Sequence, residues 1–493
     1  MRNLLALIFL FFQFAFLAKG QVTFQKLYNS GTAYSVLQSS DSGFVLSGPS
    51  DGTNALLLKL NYFGDTTWAL KFDTIHIQSS LKSHDGSIIV VGTSGISSGD
   101  VAVIKIGSAG NIIWAKKYDS SNNENGYSID ETLDSGFIIV ASVYDSILET
   151  NDVSLIKTDS IGNIIWSKLY STNFNNYVGH LVRQTHDNGF IVMGTYNLGS
   201  WNAGIGIFLI KCNDIGDTIW TKKYFTNGVN GLGLEETRDG GFIIGGGTLL
   251  KTDSLGNLLW AKQLTIGNGI LGFYIHELVN GYVIAGTGYV GTSEFNLTMV
   301  DTFGNPVWSN GYGTSGDCWC YSGSIVHDGG YALAGNEIDS SGSRIYLIKT
   351  DATGNSGCNE IALPVSSISP SIIVSSYPVA VLSLNMTVSS FMPTIRYGGE
   401  VTTLCASVGI SSISSASFTL SPNPAITIVE LIFEQSKTSS LEIYNLLGEK
   451  VDNFHFSRDE SEIKINVSGL NPGIYFVKVE TENGTSVQKL VKQ

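Results

Sequence analysis

Charge is scarce in this chain, and one sign of it dominates. Charged residues are 14% of 493, and the net charge is −14. Without a basic face there is no electrostatic footprint for nucleic acid or for an anionic membrane surface. The place of charge is taken by Ser, Thr, Asn and Gly, as on extracellular β-proteins rather than disordered chains. Cysteine is scarce too. The five residues, at 212, 318, 320, 358 and 405, are too few and too irregular for a disulfide framework. Cys358 and Cys405 flank the low-charge stretch between them and could pair in an oxidising compartment. A Cys318–Cys320 bridge would be strained in an extended strand, and neither spacing makes a zinc pattern. Helical periodicity is missing throughout. After residue 20, no segment is long and apolar enough to span a bilayer. Zinc-protease and P-loop strings are absent as well.

Residues 1–20 read as a signal peptide. Arg2 gives the basic start, Leu4 to Ala18 is a short apolar stretch, and Ala18-Lys-Gly20 supplies small residues for cleavage before Gln21.

What the chain does have is repetition. Gly110-Asn-Ile-Ile-Trp114, Gly162-Asn-Ile-Ile-Trp166 and Gly256-Asn-Leu-Leu-Trp260 are nearly one string, with variants ending at Trp68, Trp220 and Trp308. A second phrase, a turn and an apolar run, precedes each, as in Asp187-Asn-Gly-Phe190-Ile-Val-Met-Gly194. Its aromatic or aliphatic position recurs at 44, 88, 137, 190, 242, 282 and 331, about every 48 residues, a propeller-blade period. Between the phrases runs a β-rich segment such as Leu155-Ile-Lys157-Thr-Asp159, and another segment precedes the turn. Four short strands per repeat predict an all-β, seven-bladed β-propeller over residues 21–357. The seventh repeat lacks its tryptophan strand, and Phe24-Gln-Lys-Leu-Tyr28 is expected to supply it, closing the structure.

The repeated tryptophans are expected to fill the wedge between neighbouring sheets. The repeated lysines at 59, 105, 157, 211, 251 and 349 are expected to be structural. His84-Asp, His186-Asp and His327-Asp occupy one equivalent turn and read as turn residues, not catalytic dyads. Scaffold residues obey the repeat, and sites break it. Trp201 and Trp319 are the tryptophans outside the repeat position, and they are the candidate ligand contacts. No catalytic residue and no metal site stands out. No cofactor is expected. Calcium has only a weak pattern, in the oxygen-rich Asp119–Gly126 and Asn336–Gly342 loops, the first of which lacks a distal Glu ligand.

Residues 358–416 read as a Ser-rich linker, and 417–493 as a small Ig-like antiparallel β-sandwich. The second segment carries Pro422-Asn423-Pro424, Ile443-Tyr444 with Gly448, and Gly473-Ile-Tyr475 before Lys489-Leu-Val491. On these residues it resembles the type A C-terminal sorting domain of the type IX secretion system. The family usually has an aromatic where this chain has Leu420 or Ser421. The resemblance implies passage to the periplasm, then release or display at the outer surface, with the secretion machinery as partner. It implies nothing about the passenger. For the propeller we expect a binding or adhesion module for an extracellular glycan or protein. The alternatives are a secreted polysaccharide- or peptide-cleaving enzyme and a structural surface-layer component.

Overall fold

The computed structural model describes residues 21–28, 31–51, 54–95, 99–147, 149–171, 177–197, 205–225, 233–266, 270–290, 292–314, 316–340, 342–396, 401–407, 418–433, 438–445, 450–451, 455–458, 462–481 and 484–492. Strands are joined by turns, and no helix occurs among these residues. The chain divides into one unit of Gln21–Ser407 and another carrying Val408–Gln493.

The first unit holds seven five-stranded antiparallel sheets. They are numbered here by their first strands: Ser35–Gln38, Ile75–Lys82, Asn123–Glu131, Tyr177–Gln184, Gly233–Glu236, Ile270–Leu278 and Asp317–Ile325. In sheets 1 to 6 the next three strands follow in chain order, as in Phe137–Asp145, Thr150–Thr158 and Ile164–Ser171 of sheet 3. In sheet 7 the fourth strand is Thr23–Tyr28, with Phe24 opposite Lys349 and Tyr28 opposite Ile345. The expected closing strand is therefore in place.

Each sheet packs on the next, and sheet 7 packs on sheet 1. One buried apolar cluster fills each of these interfaces. The repeated phrases build the interfaces. Asp159 Oδ1 accepts from the N–H groups of Ile161 (3.0 Å) and Asn163 (2.8 Å), an Asx turn that sets the third hairpin. Gly216 in the next copy has φ 79°, and a Cβ there would lie 2.9 Å from the Trp166 ring of the preceding sheet. The glycine therefore serves the turn and the tryptophan together. Tyr170 hydroxyl then donates to Gly216 carbonyl at 2.6 Å. Tyr28, Tyr118 and Tyr224 repeat this staple at 2.6, 2.9 and 2.6 Å. Phe24 takes the tryptophan's place against Gly64.

The stretch expected as a linker supplies the fifth strand of every sheet. Glu360–Ala362, Ser366–Ile368, Ile373–Ser375, Ala380–Ser383, Thr387–Ser390, Ile395–Arg396 and Val401–Ser407 pair with sheets 6, 5, 4, 3, 2, 1 and 7 in turn. The chain thus runs back past all seven sheets as a belt on their outer edges. Its low charge suits half-buried edge pairing. Its apolar residues enter the clusters between sheets, among them Leu363, Val374, Tyr377, Val388, Phe391 and Leu404. A pattern of short strands without repeat phrases conceals such a role, because the partners lie from about 50 to more than 370 residues upstream, each at a different separation. Covering seven exposed edges also removes seven templates for aggregation.

In the second unit a four-stranded and a three-stranded antiparallel sheet share one core. Val429, Leu431, Ile443, Ile463, Ile465, Val477, Val479 and Leu490 alternate inward along their strands to form it.

Candidate functional site

The repeated ionisable residues prove structural. Lys211 is buried and lies 2.9 Å from Asp187 of its own sheet's turn, and it also donates to the Cys212 carbonyl at 3.1 Å. Lys59, Lys105, Lys157, Lys251 and Lys349 pair in the same way with Asp41, Asp85, Asp134, Asp239 and Asp328. Sheet 6 has Met299 at the lysine position and Asn280 in the turn, so both partners change together. The His-Asp turns face the neighbouring sheet. His84 N–H donates to Glu131 at 2.7 Å, His186 N–H to Glu236 at 2.9 Å, and His327 N–H to Gln38 at 2.7 Å.

The first strands of the seven sheets surround a cavity of about 740 Å³. Five of these strands carry a β-bulge. The extra residues are Gln78, Tyr127, His180, Phe273 and Tyr321. All five line the cavity, joined by Tyr34 immediately before the first strand of sheet 1. A bulge turns one added side chain out of the ladder, and here it builds a mostly aromatic layer. Tyr34 meets Tyr321 edge to face at 5.2 Å, Tyr127 meets His180 at 5.4 Å, and Phe273 meets Tyr321 at 5.6 Å. His180 Nε2 lies 2.9 Å from Thr195 Oγ1, and burial pulls its pKa down to about 4. Its ring is neutral at physiological pH.

Three residues further along, the strands of sheets 3 to 6 carry Asp130, Arg183, Glu235 and His276. The other sheets have Leu37, Leu81 and Ser324 there. This charged layer breaks the repeat, and Arg183, Glu235 and His276 line the cavity. Glu235 Oε1 is 3.1 Å from His276 Nδ1, and its Oε2 accepts the Glu277 N–H at 2.9 Å. Arg183 donates to the Val182 carbonyl at 2.8 Å. Burial raises the Asp130 carboxyl above its usual range, although Arg183 opposes the rise. The cavity therefore offers ring faces, hydroxyls, a guanidinium and an acid–histidine pair. No single stretch of sequence holds more than one sheet's contribution. The signal lies in aligning the bulge positions across repeats and asking which column loses its pattern.

Of the expected ligand contacts, Trp201 lies outside the described residues. Trp319 is half-buried on the first strand of sheet 7, edge to face with Tyr289 at 5.8 Å. It sits two residues before Tyr321 and is not among the cavity-lining residues. In the Asn336–Gly342 stretch, Glu337 and Asp339 lie on the strand Tyr331–Asp339 and pair with Arg344 at 2.6 and 2.7 Å. Cys358 is disulfide-bonded, while Cys212, Cys318 and Cys320 are free thiols.

In the second unit, the Pro422-Asn423-Pro424 segment docks on the final strand Gly484–Lys492. Asn423 Nδ2 donates to Lys489 carbonyl at 2.6 Å, and Asn423 Oδ1 accepts the Val491 N–H at 2.8 Å. Tyr444 hydroxyl donates to Glu442 at 2.7 Å, and Tyr475 hydroxyl to Asn471 carbonyl at 2.9 Å. Gly473 opens its strand, and a Cβ there would make only ordinary contacts with Tyr475 at 3.8 Å and Asn471 at 3.9 Å. Gly448 lies outside the described residues. Residues 419–493 match the model of the secretion system C-terminal sorting domain. No curated protein matches the chain. The sorting domain engages the type IX secretion machinery, and the protein is secreted or held at the outer cell surface. Among the described residues no helix is long and apolar enough to cross a membrane.

Proposed function

We propose that the seven sheets are the blades of a seven-bladed β-propeller, followed by a small Ig-like sorting sandwich. The propeller acts outside the cell as a binding module whose ligand enters the central cavity. The observation that carries this is the pairing of an aromatic layer with a charged layer that breaks the repeat. Rings at Tyr34, Tyr127, Phe273 and Tyr321 can stack on a sugar or a planar side chain. Arg183, Glu235, His276 and the Ser hydroxyls at 35, 79, 80 and 322 supply the orienting hydrogen bonds. A saccharide fits both layers, and an extracellular polymer end is the ligand class we favour. Trp319 is retained as a contact outside the cavity, and Trp201 as a candidate contact that lies outside the described residues.

A polysaccharide and oligosaccharide binding screen of the purified chain tests this, with hits titrated calorimetrically. Tyr34→Ala combined with Tyr321→Ala should weaken binding at least about tenfold, the scale of one lost stacking contact. Affinity unchanged in that double variant removes the ligand from the cavity.

A second reading rests on the Glu235–His276 pair, which has the composition of a general acid–base couple. It predicts turnover of a polysaccharide or peptide that Glu235→Gln abolishes while the fold survives.

A further inference from the structure

Three carboxylates converge where sheet 2 meets sheet 3. One oxygen each from Asp100, Asp119 and Glu124 lies within 4.8 Å of the others. Asp100 opens the strand Asp100–Ile106, Asp119 closes Ile112–Asp119, and Glu124 is near the start of Asn123–Glu131 in the next sheet. Val101 is opposite Tyr118, so the next pair along this ladder sets Asp100 against Asp119. Like charges directly opposed on paired strands repel.

The third carboxylate is the independent sign of a ligand. Glu124 is fully enclosed, at 0% exposure. Its Oε1 accepts from the N–H and hydroxyl of Ser120. Among the described residues, its Oε2 is buried and meets no hydrogen-bond partner. A buried carboxylate oxygen without a partner is costly unless a cation satisfies it. The basic group paired with this cluster is Lys117, 3.7 Å from Asp100 and also 5.4 Å from the centre of the Phe391 ring. Asp119 Oδ1 accepts the Ser121 N–H at 2.5 Å, and among the described residues no cationic side chain is paired with Asp119 or Glu124.

We propose that Asp100, Asp119 and Glu124 bind a divalent cation, calcium, which clamps sheet 2 to sheet 3. The donors are all oxygen, with no His or Cys in the group, which is the preference of a hard cation. Oxygens held about 2.3–2.6 Å from one calcium lie at most about 5 Å apart, and these three lie within that span. Two adjacent sheets contribute, so binding stabilises their contact. The Asp119–Gly126 stretch lacked a distal acidic ligand in sequence, and Asp100 supplies the missing one from a strand upstream. Water fills the remaining coordination positions. An extracellular module of this kind binds with Kd on the order of 10⁻⁴–10⁻³ M.

The test uses the purified full chain stripped with chelator, at constant ionic strength. Thermal unfolding is followed with calcium added to about 10 mM, above the expected Kd range. Tm should rise and saturate, because the ion binds the folded state. Asp119→Asn and Glu124→Gln should each raise the half-saturating concentration at least about tenfold. Asp100→Asn, at a partly exposed position, serves the same purpose if the buried Glu124→Gln fails to fold. Sensitised terbium luminescence, displaced by calcium in the parent and lost in the variants, reads the site directly. A Tm that does not respond to calcium overturns the proposal. So does an equal response in the parent and in the variants that fold.

Discussion

Replacing Tyr377 by Ala should loosen sheet 4 although the residue lies about 150 to 200 positions from the strands it touches. Tyr377 is 9% exposed. Its ring stacks on Tyr177 at 5.7 Å and meets Phe208 edge to face at 6.5 Å, while Lys223 Nζ lies 4.6 Å from its centre. A tyrosine buries about 150–250 Å², which at about 25 cal/mol per Å² gives an upper bound of about 4–6 kcal/mol. The backbone contacts to Thr221 survive the substitution, so the expected loss is about 3 kcal/mol, in the usual range for aromatic-to-Ala changes. Among the described residues, the buried Tyr377 hydroxyl has no hydrogen-bond partner. Tyr377→Phe should therefore stay within about 0.5 kcal/mol of the parent or stabilise it slightly. Ile373 in the same belt is 68% exposed, and Ile373→Ser should also stay within about 0.5 kcal/mol. Urea unfolding followed by tryptophan fluorescence is the assay, since all eight tryptophans lie in the first unit and none in the sorting domain. If Tyr377→Ala unfolds within about 0.5 kcal/mol of the parent, the belt is not part of the core and the packing account fails.

Removing residues 21–28 deletes a strand paired on both sides, to Gly342–Lys349 and to Val401–Ser407, and should abolish cooperative unfolding in calorimetry. Gly216→Ala should cost about 2 kcal/mol or more in chemical denaturation, because φ is 79° and the new Cβ would press on Trp166. Asn423→Ala removes both hydrogen bonds that dock the Pro-Asn-Pro segment, about 1–2 kcal/mol, and should reduce the amount exported in the native host. Acid stability should hold to about pH 4 and then fall. Burial acts to raise the Asp41 pKa, but hydrogen bonds from Lys59, Ser39 and Gly43 bring it to about 2, and Asp134, Asp187 and Asp239 are lowered similarly. Such groups stabilise fully above the unfolded carboxylate pKa of about 4, and that contribution is lost as pH falls through the folded values. A midpoint of acid unfolding above pH 5 would contradict this origin.

The sequence by itself determined everything that repeats. A period in the chain maps to a period in space, so the Gly-x-x-x-Trp phrase, the Asp-x-Gly turn and the buried lysine each have one structural meaning seven times over or nearly so. The displaced seventh strand was legible for the same reason: Phe24–Tyr28 carries the pattern of a strand whose partners are at the far end. The sorting domain was legible because its pattern is local, although Gly473 has no conformational need for glycine.

Tertiary structure alone decided what does not repeat. Belt strands of two to seven residues are too short to show periodicity, and each pairs with a strand at a different distance upstream, from Pro306–Tyr312 to Thr23–Tyr28, so low charge and serine content read as a linker. The aromatic layer depends on bulges, which shift a register by one residue and leave no mark in composition. Asp130, Arg183, Glu235 and His276 are ordinary residues until four separate strands bring them to one level. Asp100, Asp119 and Glu124 converge because a hairpin and a sheet-to-sheet crossing end at the same place, and only the fold sets those ends together.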